Sequence, residues 1–340
     1  MATARQIVAL LSSHAQGDEE QFFSIALQVA ASEARRGRME VAEELRKAVD
    51  RARQRRARGA AVTSAHADVA IPINRPRGEL QGLLSAAYPK SKLDDVVLRP
   101  EMRARLDRLV YQQRHRDRLR EFAHTPIAKL LLVGPPGSGK TLTASALAGE
   151  LHLPLFTVRL ESVITRFMGE TAAKLRLIFD QISSIRAVYL FDEFDAIGGR
   201  RTADNDVGEM RRVLNSFLQF LEEENSTDSI VVAATNHAEL LDRALFRRFD
   251  EILEYSLPTD AEIQKIIADH LGRFIGARFQ WSRVLDAAAG LSQAELARAC
   301  REVVKDSVLA ERSLIEPEGL VAALRDRRAV RDAVSGLIES

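Results

Sequence analysis

A disulfide-bonded architecture is ruled out at once, because the 340 residues contain a single cysteine, Cys300. A lone thiol builds no framework and fits a reducing compartment. Its place in a helical apolar pattern marks it as a small buried hydrophobe rather than a nucleophile. Long hydrophobic runs are missing too. No stretch approaches the ~20 apolar residues of a membrane span, and the first residues lack the apolar core of a signal peptide, so a cytoplasmic location is expected. Charge of one sign is also lacking: 49 Lys and Arg stand against 48 Asp and Glu, leaving +1. That balance argues against any general attraction to nucleic acid or anionic membrane. Neither HExxH nor GxSxG occurs, so the chain carries no peptidase motif of its own.

What is present describes a globular protein, with 46% hydrophobic and 29% charged residues in a length natural for two or three units. Its most informative stretch is Gly134-Pro135-Pro136-Gly137-Ser138-Gly139-Lys140-Thr141, preceded by the apolar run Lys129 to Val133 and followed by the helix-prone Leu142 to Leu151. A buried strand, a glycine-rich loop and a helix N-terminus in that order form a phosphate cradle, in which N–H groups and the positive helix end face anionic oxygens. Lys140 would reach the β/γ-phosphates and the Thr141 hydroxyl would ligate Mg²⁺. The alternative is a glycine-rich turn in an unrelated α/β protein; the flanking strand and helix weigh against it.

Residues 1–57 read as helices. Asp18 with Gln21 resembles a capping box, Phe22, Phe23, Ile25, Ala26, Val29 and Ala30 form a buried side, and a further helix starts near Met39. That helix runs into five arginines, Arg51, Arg53, Arg55, Arg56 and Arg58. No aromatic residues are interleaved for base stacking, so a solvated helix end is preferred over a nucleic-acid site, with an acidic protein partner next. We divide the chain into a helical adaptor (1–58), a linker (59–87) rich in turn residues such as Pro72, Pro76 and Gly82, an α/β unit (88–257) and a helical unit (258–340). A charged helix is expected over Glu101 to Phe122.

Beyond the cradle, strand candidates Pro154 to Val158, Ala187 to Phe191, Ile230 to Ala234 and Glu251 to Tyr255 alternate with helix-length segments. Continuous apolar runs between helices predict a parallel sheet covered on both faces, five strands in all, with the site at the strands' carboxyl ends. Phe191-Asp192-Glu193-Phe194-Asp195 closes one of these strands. A carboxylate there suits Mg²⁺ coordination, which assigns that role to Asp192 and leaves Glu193 to polarise the attacking water. Asp195 is read as a cap of the following turn.

These motifs, together with Ala233-Ala234-Thr235-Asn236 and the run Leu241 to Asp250, resemble the AAA+ ATPases, specifically their AAA subgroup of protein remodellers. The resemblance spans about residue 88 to the C-terminus. It implies a P-loop AAA+ module with a helical lid, ATP hydrolysis with Mg²⁺, and a homo-oligomeric ring, expected to be a hexamer. It also implies that Asn236 positions the attacking water, that Val97, Leu142 and Ala294 line the nucleotide, and that Arg247 and Arg248 are arginine fingers reaching a neighbouring subunit's γ-phosphate. Many relatives separate the two arginines, whereas here they are adjacent, which leaves open which one is the finger.

Phe167, Met168 and Gly169 match the aromatic-hydrophobic-glycine pore loop by which AAA unfoldases grip an extended polypeptide; Gly169 would let the loop bend. The competing account is an apolar pair packed at a helix start. A second polar loop, Gly198 to Glu209, would lie lower in the channel. Thr259 with Glu262 and Ser292 with Glu295 read as capping boxes of two lid helices. Ser292, Gln293 and Ala294 stand where AAA members commonly have Ser-Gly-Ala, and no arginine occupies the matching helix start, which favours the remodelling branch. A last helix, Pro317 to about Leu337, carries Leu320, Leu324 and Val330 and is expected to pack on a neighbouring protomer. The first 50 residues also resemble bacterial AAA ATPases paired with a subtilisin-like serine protease in phage-defence and plasmid-maintenance systems, which implies a protease partner. Two other classes compete with this reading: a nucleic-acid motor or loader, and a nucleotide-switched scaffold.

Overall fold

The computed structural model describes residues 78–164, 168–198, 207–241, 243–276 and 279–338, with Glu43 and Pro76 alone before them. The chain divides into two compact units, Met1–Ile71 and Pro72–Ser340, and every element named below belongs to the second. Apart from Glu43, the helices read in residues 1–57 lie outside the described residues, as do the arginine cluster, Phe167 and most of the second loop.

In chain order the elements are α1 (Leu80–Leu83), β1 (Leu84–Ala87), α2 (Pro100–Arg114), α3 (Arg116–Glu121), β2 (Lys129–Val133), α4 (Lys140–Glu150), β3 (Leu155–Val158), α5 (Leu160–Val163), α6 (Met168–Ser184) and β4 (Val188–Phe191). They continue with α7 (Asp195–Gly198), α8 (Val207–Glu222), β5 (Ile230–Thr235), α9 (Arg243–Phe246), β6 (Glu251–Glu254), α10 (Asp260–Leu271), α11 (Trp281–Ala288), α12 (Gln293–Leu309) and α13 (Pro317–Ile338).

The sheet has the order β1-β3-β4-β5-β2-β6. Strands β2 to β6 pair in parallel; β2 to β5 carry the largely apolar runs of strands covered on both faces, whereas β6, bounded by Glu251 and Glu254, is a partly exposed edge. One face buries Leu131, Phe156, Tyr189, Phe191 and Val231 against α6 and α8; the other buries Leu130, Leu132, Val188, Leu190 and Val232 with α2 and α4. Each such side chain contributes about 1.5–3 kcal/mol relative to exposure. A third cluster, centred on Ile263, Ile267, Leu296, Ala299, Leu320 and Leu324, makes the lid from α10 to α13.

Three expectations are corrected. The sheet has six strands: Leu84–Ala87, assigned to a linker, pairs antiparallel with β3 as its edge strand. Leu84 is buried while Ala86 and Ala87 are exposed, so burial falls off along this edge strand. The single charged helix is broken at His115 into α2 and α3. Met168 and Gly169, read as loop, form the first turn of α6, and α8 already begins at Val207, inside the expected second loop. The last helix buries Leu320 and Leu324 in its own lid and leaves Val330 exposed, on the part of the helix open to the expected contact with a neighbouring protomer. Cys300 is buried in the lid core, and that burial pushes its thiol up to about 12.

Candidate functional site

Register brings three strand ends together. Val133 of β2 lies beside Thr235 of β5, and Ala233 of β5 lies beside Phe191 of β4. The glycine-rich loop, Asn236 and the acidic pair therefore leave the sheet side by side.

The loop turns through left-handed backbone at Gly137 (φ +74°) and Gly139 (φ +100°), and Gly139 caps α4. A Cβ on Gly134 would sit 2.5 Å from the Tyr255 carbonyl oxygen, so only glycine admits this approach of loop to strand end. A Cβ on Gly137 would come 2.8 Å from Ser292 Oγ of the lid. Lys140 is buried, and its ammonium donates to the carbonyls of Gly134 (2.7 Å) and Pro135 (2.8 Å) and to Asn236 Oδ1 (2.8 Å). Burial lowers its pKa, opposed by the charges of Asp192 and Asp195.

Thr141 Oγ1 donates to Asp192 Oδ2 at 2.7 Å. A hydroxyl and a carboxylate converging beside a helix N-terminus form an oxygen-only donor set that fits Mg²⁺, which takes one or two protein oxygens and fills its remaining positions from phosphate and water. Phe191 and Phe194, both fully buried against Phe217, fix the acidic pair from either side. That anchoring distinguishes Asp192-Glu193 from a strand running loosely into solvent. Glu193 is exposed and adopts φ +51°, a conformation uncommon for a side-chain-bearing residue and frequent at functional sites. Asp195 opens α7 and accepts from the Thr235 hydroxyl at 2.8 Å, tying the acidic turn to the end of β5 beside Asn236. It thus joins two strand ends, a larger part than the cap read from sequence.

The cavity at these strand ends has a volume of about 410 Å³ and is closed on one side by the lid. Of the residues expected around a nucleotide, Pro136 to Leu142, Val97, Ala294, Asp192, Glu193 and Asn236 line it. Gly134 and Pro135 sit behind the loop, where they take the Lys140 ammonium. Arg247 and Arg248 are exposed and lie outside the cavity.

Loop and lid are directly joined. The Ala294 N–H donates to the Gly137 carbonyl at 3.0 Å, and Gln293 Nε2 donates to the Val97 carbonyl at 3.1 Å. Both anticipated capping boxes form, Thr259 with Glu262 and Ser292 with Glu295, and they fix the starts of α10 and α12. Asp95, Ile266, Asp269, His270 and Gln293 also line the cavity but were given no site role from sequence. His270 has its pKa lowered by partial desolvation and by Arg301, against the opposing charge of Asp269. A histidine one turn along from the buried Ile266, on a helix opened by a capping box, was the available signal.

A glycine-rich loop between β2 and α4, a hydroxyl–carboxylate pair at its mouth and a helical lid define a phosphate-loop nucleotide-binding module. Residues 130–257 match the family described as ATPase family associated with various cellular activities (AAA). The chain is 32% identical over 341 residues to an uncharacterized AAA family ATPase, y4kL, of Sinorhizobium fredii, across 99% of this chain and 100% of that protein. It is 36% identical over 202 residues to ATP-dependent zinc metalloprotease FtsH 1 of Methylacidiphilum infernorum, covering 57% of this chain and 32% of that one. It is 31% identical over 209 residues to probable 26S proteasome regulatory subunit 10B of Caenorhabditis elegans, covering 59% and 51%. The chain therefore belongs to the AAA family and is an ATPase. It spans the whole of the first relative and only a third to a half of the other two. No described helix is long and apolar enough to cross a membrane.

Proposed function

We propose that this chain is a Mg²⁺-dependent, ring-forming ATPase that remodels or threads a polypeptide. The observation that carries the reading is the pairing of a complete phosphate cradle, with Thr141 and Asp192 at 2.7 Å, with two arginines that stand outside the cavity of their own subunit. Bound Mg²⁺ would supply charge neutralisation for the β- and γ-phosphate oxygens, held by Thr141 and Asp192. Loop N–H groups and the N-terminus of α4 orient the phosphates. Lys140 adds a point charge at the β/γ position, Glu193 takes the proton of the attacking water, and Asn236 orients that water. An arginine of this pair acts in the cavity of the next subunit, so hydrolysis requires assembly. Residues 1–58 serve as the partner-binding adaptor.

The polypeptide reading draws on the relatives, one named a metalloprotease and one a proteasome regulatory subunit. It also draws on Phe167, Met168 and Gly169, which would grip the substrate. The likeness of the first 50 residues to ATPases paired with a subtilisin-like serine protease extends the reading to a protease partner controlled by the ring in a bacterial defence or plasmid-maintenance pair.

Turnover per subunit should rise steeply as the chain is concentrated through its assembly range, in step with the oligomer seen by light scattering. Equal turnover in dilute single copies would end the ring reading. Phe167→Ala should retain most ATPase activity while removing ATP-dependent unfolding of a tagged test protein, and undiminished unfolding would return that residue to a packing role.

A further inference from the structure

We infer that the two adjacent arginines divide the work: Arg247 is the residue offered to the neighbouring site, and Arg248 is a positioning residue latched within its own subunit to Glu222 at the end of α8. This rests on the proposed action of the arginines across a subunit boundary.

The segment that carries them is held on both sides. Before them, Leu241 and Leu245 are buried in the same core cluster as Phe217, Leu218 and Leu221 of α8. After them, Phe249 is buried and Asp250 Oδ2 accepts from the backbone N–H groups of Ala128 and Lys129, both at 2.9 Å, at the start of the strand that leads to the phosphate loop. What emerges is a short turn, in which the Arg248 N–H donates to the Leu245 carbonyl at 2.9 Å. The Arg248 guanidinium forms an ion pair with Glu222, the residue after Leu221. Arg247 is exposed and makes no ion pair or side-chain hydrogen bond among the described residues.

A guanidinium already matched to a carboxylate has part of its charge and its forked donors committed. An uncommitted one next to it keeps its full field for an incoming phosphate. The latch fixes where the turn stands relative to α8, and so limits the positions Arg247 can sample; its benefit is one of orientation. Each partner side chain is 45% exposed, so the pair is worth a factor of about five at most. A finger in trans is worth about 10³-fold or more. The two roles are therefore separable by size.

The test measures kcat and KM for ATP in the assembled oligomer of Arg247→Ala, Arg248→Ala, Glu222→Gln, the double variant Glu222→Gln/Arg248→Ala and the charge swap Glu222→Arg/Arg248→Glu. Because both partners are about half exposed, these changes leave the core untouched. We expect Arg247→Ala to lower kcat about 10³-fold, with KM nearly unchanged. Arg248→Ala and Glu222→Gln should each lower kcat about two- to fivefold, the double variant no further than either, and the swap should recover activity to within about twofold. An Arg248→Ala loss as large as that of Arg247→Ala overturns the division, as does a silent Glu222→Gln, a multiplicative double variant or a swap without recovery. If Arg247→Ala is severe and only the latch variants disagree, the trans-arginine reading survives and this inference does not. If both arginines are silent in the assembled ring, the reading beneath it falls as well.

Discussion

Glu193→Gln should bind ATP within about threefold of the parent and turn it over about 10²–10⁴-fold more slowly, the range expected for loss of a positioned general base. The substitution keeps the size and the φ of +51° of that position. It also leaves the neighbouring Asp192 carboxylate, which accepts the Glu193 N–H at 3.0 Å as well as the Thr141 hydroxyl, in place. Only the capacity to take a proton is lost. Titration with a fluorescent ATP analogue and single-turnover phosphate release separate the two steps, and unaltered release in the variant would remove Glu193 from the chemistry. Because product formation is blocked after binding, this variant should also accumulate in the assembled, ATP-loaded state on size-exclusion chromatography.

Gly134→Ala should be the most damaging methyl group that can be added to the loop. The new Cβ would lie 2.5 Å from the Tyr255 carbonyl oxygen and 2.7 Å from Tyr255 Cβ, at φ +150°. Tyr255 cannot retreat cheaply: its N–H donates to the Val133 carbonyl at 2.7 Å and its buried hydroxyl donates to Thr143 of α4 at 2.7 Å. Relief must come from moving the loop away from the end of β6, and that breaks the bonds from Lys140 to the Gly134 and Pro135 carbonyls. We expect about 2–4 kcal/mol of lost stability, a thermal midpoint lower by about 5–10 °C, and nucleotide affinity reduced at least about tenfold. Gly319→Ala is the matched control. It lies in the first turn of α13 with nothing within 4 Å of an added Cβ, so its midpoint should stay level or rise slightly. A Gly134→Ala protein as stable and as tightly nucleotide-bound as that control would show the close approach to be immaterial.

The parallel strands were legible in the sequence because a strand covered on both faces has no polar alternation to confuse it. Ile230 to Thr235, buried along its whole length, is the clearest case. The cradle was legible because its glycines, lysine and threonine are contiguous, and the caps at Thr259 and Ser292 because a capping box is a local bargain between residues three apart. What escaped notice depends on distance in the chain. Leu84–Ala87 has two exposed alanines and no length to declare itself, and it becomes a strand only because β3 offers an open edge. The break at His115 left no mark in a continuous run of charges. Asp95, Asp269, His270 and Gln293 meet across some 200 residues of sequence, so nothing local announces them as neighbours. The pairing of Arg248 with Glu222 is of the same kind, a contact made by the fold rather than by spacing.

The bond from the Ala294 N–H to the Gly137 carbonyl has a mechanical corollary. It pins the first turn of a 17-residue helix to the loop, and at 1.5 Å per residue that helix is about 25 Å long. A tilt of roughly 10° about the pinned end would carry its far end, where Leu309 stands 83% exposed, through about 4 Å. Any rotation of the lid about that bond would therefore be smallest beside the phosphates and largest at the Leu309 end.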